Sequence, residues 1–137
     1  MRTAAVCLTL AGAVAVCAGC ASHRDQRGAV PASSPELVSR FQAAAAISDV
    51  ATRDQALAQV AWLGAQAGDG RAVLNCVRAM SDSPVRDSAA YQCSARLAED
   101  GWVPQATVVA QTIGDPTVRD RALAKIAQSS PYPVSPP

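Results

Sequence analysis

Aromatic residues make up only 4% of the chain, and His23 is its one histidine. With so few large rings, a core has to come from alanine and the aliphatics. Alanine is the best helix former, and small side chains let helices approach closely. No strand is visible in the apolar pattern, so no sheet is expected. An excess of one charge is missing too. Of the 12 basic residues only Arg2 precedes Cys20, which leaves 11 beyond it against 11 acidic ones. That balance excludes the basic stripe by which a protein holds nucleic acid. Because His23 lies outside the apolar body of the chain, Ser/His/Asp and Cys/His sites are excluded by inventory. There is no glycine-rich phosphate loop after a strand, and no second cysteine pair or nearby His for a metal. The sequence therefore predicts no catalytic site, no metal and no cofactor.

One apolar run stands out. Thr3 to Val16 reads TAAVCLTLAGAVAV, after Met1 and Arg2. It is shorter than the roughly 20 apolar residues a transmembrane helix needs. It has the anatomy of a secretory signal. Val16-Cys17-Ala18-Gly19-Cys20 follows. Ala18, Gly19 and Cys20 in this order resemble the processing motif of bacterial lipoproteins, with Cys17 where that family usually carries Leu. The resemblance implies cleavage before Cys20, acyl chains on Cys20 and a membrane contact made through that lipid. Several acyl chains on one residue hold a protein stably, whereas one is marginal. Since Ala21 is not Asp, the resemblance also implies sorting to the outer membrane, facing the periplasm. The other reading is an ordinary secreted protein cut nearby. The chain then divides into a signal peptide (1–19), the lipidated Cys and a polar tether (20–34), a helical domain (35–128) and a Pro-rich tail (129–137) expected to be disordered. A flexible tether of this length spans roughly 20 Å.

Three segments align without gaps at a spacing of 33 residues. They are Ile47-Ser48-Asp49 with Arg53-Asp54 and Ala56, Met80-Ser81-Asp82 with Arg86-Asp87 and Ala89, and Ile113-Gly114-Asp115 with Arg119-Asp120 and Ala122. Helical spacing of Leu57, Val60, Ala61 and Gly64, breaks at Gly68 and at Asp100-Gly101, and an opening helix from Pro35 predict six helices in three antiparallel hairpins. The fold class expected is an all-α, short α-solenoid. The repeated Asp residues are read as N-caps, helped by Pro84 and Pro116 in the first turn. The i,i+4 pairs Asp49–Arg53, Asp82–Arg86 and Asp115–Arg119 are read as ion pairs worth a few tenths of a kcal/mol each.

In the second helix Ala72, Cys76, Ala79 and Pro84 fall on a small–large–small–Pro spacing that resembles tetratricopeptide repeats. Leu57, Val60, Ala61 and Gly64 match that family's first helix with a turn one residue shorter. The usual aromatics are absent, and Gln105 and Thr112 stand where Ala is typical. The resemblance implies a concave groove lined by first helices. Trp62 and Tyr91 fall on that face, with Gln59, Gln92 and Lys125 as polar contacts. It implies a protein or peptide partner in the cell envelope and a non-catalytic scaffold. Alternatives are an accessory subunit docking on a larger envelope assembly, or a small envelope hydrolase. For Trp62 the other reading is packing over the opening helix near Phe41. Trp102 is read as a staple on its own turn. Cys76 and Cys93 lie about equally far from the turn at Pro84. An exported compartment permits a disulfide between them. Two buried inert thiols are the other reading.

Overall fold

A computed structural model describes residues 33–129. The signal segment, Cys20, most of the tether and the tail beyond Ser129 lie outside the described residues. The rest is all helical, as the repeat requires. In order, the helices are α1 (Pro35–Ala45), α2 (Val50–Gln66), α3 (Gly70–Ala79), α4 (Ser83–Glu99), α5 (Val103–Ala110) and α6 (Pro116–Gln128). There is no strand among the described residues. No helix among them is long and apolar enough to cross a membrane.

The helices stack in two layers. One row is α2, α4 and α6; the other is α1, α3 and α5. Each helix packs on its sequence neighbour and on the next member of its own row. The core between the rows is built from Leu57, Val73, Val77, Leu97, Val109 and Ile113, closed by many alanines.

Two kinds of turn alternate, and each has its own closure. The turns from α2 to α3 and from α4 to α5 end in left-handed glycines, Gly68 at φ 72° and Gly101 at φ 86°. Asp69 N–H donates to the Gly64 carbonyl at 2.8 Å, and Trp102 N–H to that of Leu97 at 2.7 Å. This is the paired main-chain closure in which a C-terminal glycine satisfies the last helical carbonyls. The α1–α2, α3–α4 and α5–α6 turns contain no left-handed glycine and lead into helices with aspartate at the N-cap. Asp49 accepts from Thr52 N–H at 2.8 Å, and Asp115 from Thr117 and Val118 N–H at 2.7 and 3.1 Å. Asp82 occupies the same place but makes no side-chain cap among the described residues.

Trp102 reaches further than its own turn. Its indole lies over Gly68 of the preceding unit, where an added Cβ would sit 2.5 Å from Nε1 and Cε2. A Cβ on Gly101 would meet nothing within 4 Å. Gly101→Ala should therefore cost only the left-handed backbone term, about 1–2 kcal/mol. Gly68→Ala should cost that and the displacement of the indole as well. Thermal melts of the two variants check this, at roughly 4–8 °C per kcal/mol for a domain of this size. Equal melts would mean that the indole is not held on the turn.

Candidate functional site

The repeated Arg-Asp pairs do something the local spacing does not reveal. Asp54 is 1% exposed and Asp87 8%. The Asp54 carboxylate reaches across to the next unit. It accepts from Ser81 and Asp82 N–H at 2.9 and 2.8 Å. Asp87 repeats this one unit on, accepting from Gly114 N–H at 3.1 Å and Asp115 N–H at 2.9 Å. Each staple closes the turn that leads into the next unit's first helix. The i,i+4 ion pairs expected at Asp49–Arg53, Asp82–Arg86 and Asp115–Arg119 do not form among the described residues. The arginines instead lean on the buried carboxylate beside them: Arg53 Nε stands 3.7 Å from Asp54, and Arg86 Nε 3.4 Å from Asp87. A carboxylate withdrawn from water attracts the nearest cation more strongly than an exposed N-cap does. Arg53 also donates to Ser81 Oγ at 2.8 Å, a second link between units.

Beside the Asp87 staple lies a groove of about 650 Å³ between α4 and α6. Pro84, Tyr91 and Val118 give it apolar walls, with Ser88, Asp115 and Arg121 around them. Burial pushes the Asp87 carboxyl up, but the N–H groups of Asp115 and Gly114 together with Arg86 outweigh it, and the net shift is below the ordinary 3.8. It is ionised at neutral pH with its oxygens engaged, whereas a general acid needs a raised pKa and a free proton. Two arginines, Arg86 and Arg121, line the groove beside its apolar walls.

The residues singled out from the sequence do not share one cavity. Tyr91 is half-buried and lines the α4–α6 groove. Gln59 opens on a different cleft, between α1 and α2, with Arg40, Ala43, Ile47 and Leu63. Trp62 is 39% exposed on α2. Gln92 is exposed and donates to Ser88 Oγ at 3.4 Å, and Lys125 pairs with Glu99 at 3.2 Å. Gln59, Gln92 and Lys125 are 33 residues apart and so occupy one column of the repeat. Cys20 lies outside the described residues.

Cys76 and Cys93 stand here as free thiols, both buried. Burial pushes each thiol up to about 12, helped by Asp69 near Cys76 and by Cys76 near Cys93. They act as small hydrophobes between α3 and α4. No group of three or more His, Cys, Asp or Glu that could hold a metal ion occurs among the described residues. Set beside protein-family models, curated proteins and solved structures, the chain has no significant match.

Proposed function

We propose that the chain is a lipoprotein of the cell envelope, held by acyl chains on Cys20, whose helical array binds a peptide or protein segment and performs no chemistry. The observation that carries this is Trp62, a large ring left 39% exposed in a chain with few rings to spare. Exposed aromatics on a polar face mark contact surfaces, and tryptophan is among the residues that dominate binding energy. Gln55, Gln59 and Gln66 stand exposed on the same helix. The α4–α6 groove with Tyr91 offers a second point of contact along the same row of helices.

The test is crosslinking of the full chain in the envelope, with recovery of what it holds. Trp62→Ala should weaken capture by about 2 kcal/mol, roughly thirtyfold, at an unchanged melting temperature. Cys20→Ala should abolish lipid labelling and leave precursor. Undiminished capture, or a domain that unfolds without Trp62, would remove the support for this face. Labelling that persists without Cys20 would place the anchor elsewhere. The accessory-subunit reading has an observation of its own: Val108 is 47% exposed on α5, in the opposite row. If Val108→Asp and not Trp62→Ala ends capture, that row is the docking face.

A further inference from the structure

The two ends of the array are unlike each other. Within the chain, α2 packs against both α3 and α4, and α4 against both α5 and α6. Each such helix has its outward stripe covered by the unit that follows. Asp54, Leu57 and Ala61 are buried on α2, and Asp87, Ala90 and Ser94 on α4. The same columns on α6 are Asp120, Leu123 and Ala127. There Asp120 and Ala127 are exposed and Leu123 is half-buried. No following unit covers them among the described residues.

At the other end the situation is reversed. Val73 and Cys76 on α3 and Met80 just beyond it are buried, as are Ala106 and Val109 on α5 and Ile113 in the turn after it. Their counterparts are Arg40 and Ala43 on α1, both exposed, and Ile47 just beyond it, half-buried. They line the cleft of about 300 Å³ between α1 and α2. In column terms this is the kind of cleft in which α2 and α4 already sit. The turn after it carries the matching donors: Ser48 and Asp49 are the counterparts of Ser81 and Asp82, and of Gly114 and Asp115. Neither of their N–H groups donates a hydrogen bond among the described residues. The Asp120 carboxylate accepts none there either. One end thus presents an unused acceptor on a small apolar stripe, and the other an unused donor pair beside an apolar cleft.

We propose that two copies of this chain stack head to tail, α6 of one copy seating in the α1–α2 cleft of the next. Asp120 then accepts from Ser48 and Asp49 N–H of the second copy, as Asp54 and Asp87 accept within the chain. The α1 helix of the second copy becomes the missing hairpin partner of α6. The match is one of register. Three steps of 33 residues carry position 147, where the next donor would lie, back to Ser48. Arg40 of the second copy would fall toward the C-terminal end of α6, where a cation is favoured. Beyond Cys20 the formal charges balance, so stacked copies do not repel. A contact between unlike faces does not close on itself in a pair, so it propagates into a ring or an open array.

Two differently tagged full-length copies, co-expressed and recovered through one tag, test this. Ala127→Arg blocks the α6 face and Ala43→Arg the α1 face, and both positions are exposed, so folding is spared. Two copies carrying the same block should not co-purify. A copy with Ala127→Arg and a copy with Ala43→Arg should, because one intact face remains on each. Asp120→Ala in both copies should cut recovery about tenfold or more, with no change in melting temperature. Recovery of same-block pairs would mean another interface or association through residues 3–16, and would overturn the proposal. So would failure of the mixed pair, or of unmodified copies, to co-purify.

Discussion

Replacing Asp87 with alanine should lower the unfolding free energy by about 2–4 kcal/mol. A hydrogen bond to a charged group contributes about 1.5–3 kcal/mol. Asp87 holds two main-chain donors, Gly114 and Asp115 N–H. Both residues are exposed, so water can take up their N–H groups and the full sum is not lost. Arg86, however, would lose its carboxylate partner. Against a total of about 5–15 kcal/mol for a domain of this size, the loss is large. Asp54→Ala should behave alike, for the same geometry. Asp87→Asn keeps an acceptor oxygen and should recover part of the loss. Asp120→Ala, at the exposed counterpart, should stay within about 0.5 kcal/mol. Urea unfolding of the four variants decides. If Asp87→Ala and Asp120→Ala give the same curve, the staple contributes nothing to stability.

Acid titration is an independent check on the same group. Asp87 is lowered from 3.8 in the folded state. A depressed carboxyl contributes stability that is fully present above its unfolded value, about 3.9, and is lost as the pH falls through the folded one. The advantage of the native chain over Asp87→Asn should therefore be flat between about pH 5 and 8 and shrink below about pH 4.

The helices and turns were legible because their signals are local. Aspartates at 49, 69 and 115 cap helices, glycines at 68 and 101 end them, and prolines sit where a first turn tolerates them. The staple was not legible from spacing, since Asp54 finds its partners 27 and 28 residues on. A signal was nonetheless present. Asp49 already caps α2, so a second aspartate five residues later has no local task. A polar residue that recurs in an inward column without a local task points to a contact between units. The candidate surface was legible by column only. Gln59, Gln92 and Lys125 occupy one column of the repeat, but which column borders a cavity depends on what packs beside it. Gln59 borders the end cleft because no first-row helix precedes α2 among the described residues. Tyr91 borders a groove because α6 begins beside it. Neither fact is contained in a periodicity.

Raising the pH from 9 to 12 should destabilise the native chain by several kcal/mol more than a Cys76→Val, Cys93→Val double variant. Each thiol is raised from 9.0 to about 12, by burial first, then by Asp69 at Cys76 and by Cys76 at Cys93. The unfolded chain releases these protons near pH 9 while the folded chain keeps them. The unfolded state thus binds fewer protons, and stability falls as the pH rises through that window. One pKa unit corresponds to about 1.4 kcal/mol, so three units set an upper bound of about 4 kcal/mol per thiol. Two thiols together approach the whole stability of a small domain, and alkaline unfolding is expected inside the window. Valine suits both positions, because the repeat already carries Val109 in the column of Cys76 and Val60 in that of Cys93, both buried. Near pH 7 the double variant should therefore lie within about 1.5 kcal/mol of the native chain. Urea melts at pH 8, 10 and 11 measure the slope directly. Equal slopes would assign the alkaline loss to other groups. Alkylation supplies the complement: both thiols should resist it in the folded chain and take it up once unfolded, without reductant. A disulfide between them would show the opposite on both counts, since bridged sulfurs have neither a proton to lose nor a thiolate to label.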